Sequence, residues 1–323
     1  LLLVSSCLLT GCTTSSAKKV DSKYVVASLE KGNKTKNIFA DNLYKDIIDN
    51  SSNNSTVFNA VLQNLVDQKF PVNDDMKEDA ATIIKQIKSA YKSNYGDNYK
   101  DSLNQALTSA GYKNLSEYRQ KMIKQIQYAN FLLDYIDDHF DDVFNDYYQQ
   151  CAPKYVSLIK ISVSDTSSPT DDETSKLNEV KELISNTDKS FGDIAQDYSN
   201  DSTSSKKGSL GIVDSKDTSG IANSYGKDVF NAIEALSEGQ VSDVITGDNG
   251  YYFVKVTSTD KKTLKKELKK TDIDSPLLAY DDYLQYVVYN SYKINYKDKD
   301  IKKIVQEVVN KALEERKTER GEA

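Results

Sequence analysis

The 323-residue sequence is poor in the residues that do most metal and hydrolase chemistry: one histidine, His139, and three cysteines, Cys7, Cys12 and Cys151. One imidazole and three scattered thiols cannot supply a Cys/His zinc site, nor a Ser-His-Asp triad with a histidine to spare. No metal and no cofactor are expected. Tryptophan is absent and proline occurs four times, at Pro71, Pro153, Pro169 and Pro276. All four fall where the hydrophobic pattern changes, as expected if none interrupts an element. An excess of basic charge is missing too: 42 Lys and Arg stand against 49 Asp and Glu, a net charge of −7. With no Lys/Arg-dense arm, nucleic acid is excluded as an expected partner. At 38% hydrophobic and 28% charged, the chain is polar for a globular protein yet outside the disordered range. Its length suffices for one large domain or two modest ones.

The first residues, LLLVSSCLLTGC, form an apolar run too short to span a bilayer, closing on small residues. Leu9-Thr10-Gly11-Cys12, followed by Thr13-Thr14-Ser15-Ser16, resembles the lipobox of bacterial lipoproteins. The resemblance implies a truncated signal peptide over 1–11 and lipidation at Cys12, with a solvated tether to residue 24. Cleavage would remove Cys7 and lipidation would occupy Cys12, so Cys151 has no partner and no intrachain disulfide is expected. Stability must then come from packing.

Helical spacing dominates residues 25–152. Val57, Phe58, Val61, Leu62, Leu65 and Val66 share one face, as do Leu115, Tyr118, Met122, Ile126, Ala129 and Leu133. After Pro153 the period changes. Ile159, Ile161 and Val163 alternate with Lys160 and Ser162, the pattern of a half-buried strand. Helices are predicted over 170–186, 190–198 and 226–235, and strands over 209–213 and 250–257, which makes 153–258 a small α/β unit. Helical spacing returns over 259–310, before a polar tail at 311–323. The fold class is therefore α+β: a helical lobe built from both termini with the small unit inserted.

Five blocks in the central unit carry a family resemblance: Phe191-Gly192-Asp193-Ile194-Ala195 running to Asp201, Lys207-Gly208-Ser209-Leu210-Gly211, Val229-Phe230-Asn231-Ala232-Ile233, Leu236 to Ser242, and Gly250 to Val256. In this order they resemble the parvulin family of peptidyl-prolyl isomerases. Phe144 to Tyr148 and Ile294 to Asp300 extend the likeness to the membrane-anchored foldase branch of that family in Gram-positive bacteria. The resemblance implies an apolar cup for the proline ring over a polar floor that favours the twisted amide on a rotational barrier of ~18–20 kcal/mol. Leu210 and Phe230 match the cup, and Asp201 matches the family's Cys/Asp position. The floor's first histidine corresponds to Leu158, Ile159 or Lys160, depending on register; the second maps onto Tyr252, whose hydroxyl both donates and accepts. The double-histidine floor is therefore absent, and Gly226 stands where a methionine often lines the cup. Asp201 and Tyr252 are the candidate catalytic residues, and Leu210 and Phe230 the candidate substrate contacts. Each also has a structural reading, as a turn cap, core packing or an ordinary strand tyrosine.

The resemblance implies a lipid-anchored protein on the extracytoplasmic face of the cell membrane. Its partners would be unfolded, newly secreted polypeptides, and a homodimer is left open. Weak or absent isomerase activity is expected. The alternative is a non-catalytic surface module, an adhesin or scaffold on a reused fold. Two other patterns carry less. Ser204-x-x-Lys207 sits in a polar loop, and Asp137, Asp138, Asp141 and Asp142 around His139 read as a solvated helix end. Tyr280, Tyr283, Tyr286, Tyr289 and Tyr292 drift around a helix, either exposed to shallow clients or packed inside.

Overall fold

The computed structural model describes residues 19–31, 34–269 and 272–322. The expected signal peptide, Cys12 and the first part of the expected tether lie outside the described residues. The chain divides into two compact units, one taking the residues up to Tyr135 together with Asp282 onward, the other Ile136 to Asp281.

The first unit does not open in helix. Strands β1 (Lys19–Val20), β2 (Lys23–Lys31) and β3 (Lys34–Phe39) form an antiparallel sheet where a tether and then a helical lobe were expected. The β-branched and aromatic run Tyr24-Val25-Val26 favours extended backbone, and no helical period competes with it. Helices α1 (Ala40–Ile48), α2 (Asn54–Lys69), α3 (Asp74–Tyr95), α4 (Tyr99–Ser109) and α5 (Leu115–Asp138) follow. The predicted faces are the ones buried. Met76 and Ala80 of α3 pack with Met122, Ile123 and Ile126 of α5, while Phe58, Leu62 and Val66 are the buried stripe of α2.

The second unit contains α6 (Phe140–Cys151), β4 (Lys154–Ser162), α7 (Asp171–Asn186), α8 (Phe191–Tyr198), β5 (Ser209–Val213), α9 (Ile221–Tyr225), α10 (Lys227–Ala235), β6 (Ile245–Gly247), β7 (Gly250–Ser258) and α11 (Lys261–Leu268). Its sheet runs β5-β4-β7-β6, every pair antiparallel. At the end of central β4 the alternation read over 159–163 holds, with Ile159, Ile161 and Val163 buried, Lys160 half-buried and Ser162 exposed, whereas upstream Val156 to Ile159 are buried without a break. Ile159 and Ile161 pack under α7 and α8 with Leu177, Val180 and Phe191. Val156 and Leu158 point the other way, into a cluster with Ile221, Val229 and Ile233. Helices cover both faces of the middle of this strand, so its side chains from Val156 to Ile159 are buried on both sides.

Residues on both sides of the α/β segment belong to this unit as well. The Tyr147 hydroxyl of α6 donates to fully buried Asp214 at 2.8 Å, its ring packs edge-on against Tyr280 at 5.3 Å, and the Tyr280 hydroxyl donates to Asp146 at 2.8 Å. The unit therefore begins before Pro153 and ends after residue 258. Cys151 is buried within it.

The chain returns to the first unit through α12 (Leu284–Ser291) and α13 (Lys299–Glu319). Here the tyrosine series packs inward. Tyr286 stacks on Phe58 at 4.9 Å, Tyr289 meets the same ring edge-on at 5.1 Å, and Tyr292 stacks on Phe131 at 5.7 Å. Among the described residues, no helix is long and apolar enough to cross a membrane.

Candidate functional site

Leu210, Phe230 and Tyr252 reach one apolar cluster on the α9–α10 side of the sheet. Tyr252 is buried within it, and Leu210, Phe230 and Tyr225 are half-buried around it. Tyr252 projects from β7 directly across from Lys160 of β4, whose Nζ lies 5.7 Å from the ring centroid. Of the three positions considered for the first family histidine, Leu158 is buried in this cluster, Ile159 faces the opposite helices, and Lys160 stands beside Tyr252.

The Tyr252 hydroxyl donates to Asn249 Oδ1 at 2.6 Å. It makes no bond to Asp201. Between them comes Tyr225, which the sequence reading missed: its ring sits 6.3 Å from that of Tyr252 at 80°, and its hydroxyl donates to Asp201 Oδ1 over 3.4 Å. Both phenols resist ionisation. Burial and then the Asp201 carboxylate push Tyr225 up to about 12, and burial followed by the charges of Asp201 and Asp248 raises Tyr252. Each is a neutral hydroxyl at physiological pH.

Asp201 has a structural task. It caps the 3-10 turn Ser202–Lys206, accepting from Thr203 N at 2.9 Å and Thr203 Oγ1 at 2.7 Å. Most of one carboxylate oxygen's capacity is spent there, and the Tyr225 contact uses the same oxygen. Gly226 joins α9 to α10 at φ +102°, a conformation side chains rarely adopt, and the space where its Cβ would stand is open. This rim of the cup is consequently bare. His139 stands at the N-cap position of α6, outside the cluster that holds Tyr252. Chemically, the cup offers an apolar seat, two neutral phenols, one carboxylate and one ammonium, with no imidazole.

Residues 158–258 match the rotamase family model, the PPIC-type PPIASE domain, so the central segment is a parvulin-type peptidyl-prolyl isomerase domain by resemblance, without its family's histidines. Beyond that class, the chain is PrsA-like. It is 32% identical over 141 residues to foldase protein PrsA of Staphylococcus epidermidis, and equally so to that of Staphylococcus aureus; each alignment covers 42% of this chain and 41% of the relative. The chain thus spans about two fifths of the length of the curated relatives it matches. Among solved structures, PrsA from Bacillus subtilis matches at 21% identity with a TM-score of 0.41, covering 88% of this chain and 98% of that one. PrsA from Streptococcus pneumoniae matches at 20% with 0.40, covering 87% and 99%. The family model and the curated relatives do not favour an adhesin or scaffold.

Proposed function

We propose that this chain is a lipid-anchored, extracytoplasmic foldase that holds newly exported polypeptides, and that its prolyl isomerase activity is weak or absent. The observation that carries the reading is the polar rim of the cup. Tyr252 is committed to Asn249 and Asp201 to Thr203, and no imidazole stands beside them. A proline ring can still be seated on Leu210 and Phe230. What is reduced is the set of preorganised groups that would favour the twisted amide over the planar one. Anchoring through Cys12 follows from the lipobox resemblance, and the unfolded clients from the likeness to foldases.

Holding unfolded chains requires exposed apolar surface rather than a catalytic floor. The first unit supports this: Tyr24, Val26, Ile38, Leu43 and Ile47 on its opening sheet and α1 are each more than 40% exposed. The deciding experiment follows cis-to-trans conversion of an X-Pro peptide with the chain lacking residues 1–12. The expected rate is within about twofold of buffer, unchanged by Tyr252→Phe or Asp201→Ala. A clear acceleration abolished by either substitution would establish a histidine-free isomerase and overturn the reading.

A further inference from the structure

On the sheet face opposite the proline cup lies a second cleft of about 410 Å3, lined by Tyr155 and Ser157 of β4, Ser190 and the first residues of α8, Lys206, Lys207, Ser209 of β5, and Lys255 and Thr257 of β7. Alternation along β5 separates the two sites, since Ser209 faces this cleft and Leu210 the cup. Among the described residues no carboxylate lines it, in a chain whose net charge is −7. Lys207 is engaged by Asp193 at 2.8 Å, whereas Lys206 and Lys255 make no ion pair or side-chain hydrogen bond among the described residues. Helix geometry leaves the N–H groups of Phe191 and Gly192 without acceptors inside α8, and both residues line the cleft.

An independent observation points to a ligand. Ser157 is only 7% exposed, yet among the described residues its hydroxyl has no hydrogen-bond partner, and the residue lines the cleft. Among the described residues the buried side-chain oxygen without a partner is Glu234 Oε1, so the Ser157 hydroxyl is open to the cleft, where an entering acceptor can take the place of water on it. The arriving group must accept from a hydroxyl and attract ammonium groups, which describes an oxyanion. We propose that this cleft binds the carboxylate of an acidic stretch of a client polypeptide, a point of attachment that does not require proline. The choice of a polypeptide occupant rests on the foldase reading above. The oxyanion chemistry does not.

The test uses the chain lacking residues 1–12 and a labelled, proline-free peptide of alternating Gly and Glu, followed by fluorescence anisotropy. Its Gly/Gln counterpart and inorganic phosphate serve as comparison ligands. The Glu peptide is expected to bind at least about tenfold more tightly than the Gln peptide, with affinity falling as salt is added. Lys206→Ala with Lys255→Ala should weaken it by about tenfold, with recovery in the two Lys→Arg variants, and Ser157→Ala by a few-fold. Lys88→Ala, an exposed lysine of α3, should change nothing. Equal binding of the two peptides, or lysine variants that bind as well as the parent, would overturn the site. Phosphate binding without peptide binding would overturn the polypeptide occupant and leave a small-anion site. Failure of the foldase reading is read separately, as inability of the parent chain to suppress aggregation of a client poor in acidic residues.

Discussion

Gly208 enters β5 at φ +76°, and a Cβ there would lie 2.4 Å from the Leu158 carbonyl oxygen and 2.8 Å from the Ala195 side chain. Backbone and helix approach too closely for any side chain, because the Leu158 N–H also donates to the Gly208 carbonyl at 2.8 Å. Gly208→Ala should therefore destabilise the second unit by about 2–4 kcal/mol, seen as a lowered urea midpoint. A second residue tests the boundary of that unit. Tyr147 donates to Asp214, which also accepts from Thr218 and from the backbone N–H of Lys216. Tyr147→Phe removes one of these donors from a fully buried carboxylate, and a loss of about 1–2 kcal/mol is expected in the same measurement. An unchanged midpoint would show that α6 contributes nothing through this bond. Neither residue's role could be read from spacing alone. The glycine was legible as part of a motif; its contact with Leu158 was not.

Helix α7 was placed correctly from its period, and its start shows why. Thr170 and Glu173 form a reciprocal capping box: Glu173 N donates to Thr170 Oγ1 at 3.2 Å, and Thr170 N donates to Glu173 Oε2 at 2.8 Å. The Glu173 carboxylate also accepts from Ser164 N at 2.7 Å. These backbone donors, Thr170 first, lower its pKa to about 2 from an ordinary value of 4.5. A depressed acid stabilises the fold fully above its ordinary value, and that stabilisation is lost as the pH falls from 4.5 towards 2. Glu173→Gln should flatten this part of the stability-versus-pH curve and leave the rest parallel, as measured by urea midpoints across the acid range. In β4 the alternation read over 159–163 holds, but it does not extend to the first half of the strand. Ser162 is exposed and Lys160 is half-buried over the Tyr252 ring, whereas Val156 to Ile159 are buried because helices cover both sides of the strand there. The opening strands were missed because their lysines interrupt the apolar residues, so neither a strand nor a helix period stands out between the expected tether and the helical lobe.

For the whole molecule, the two activities at issue are assigned to different units. The cup belongs to residues 136–281 and the exposed apolar residues of α1 to the other unit. Leu43→Ser combined with Ile47→Ser should reduce suppression of client aggregation by at least about half without changing the urea midpoint, since α1 contains no buried residue. Light scattering of a chemically unfolded client at several molar ratios makes the comparison. Full suppression by this variant would place client binding elsewhere.

Local order and chemical inventory were determined by the sequence itself. Caps such as Thr170 with Glu173 act on the turn beside them, and a single histidine excludes a double-histidine floor in any fold. Side-chain encounters across the sheet were decided by tertiary structure alone. Tyr225 meets Asp201 because two glycines with positive φ, Gly220 and Gly226, bracket the five-residue α9 and set its position over the cup. Lys206, Lys255 and Ser157 come to one cleft because β5 and β7 flank β4 on either side. The period of a strand tells which residues share a face, but not which other strands and helices bring their side chains to it.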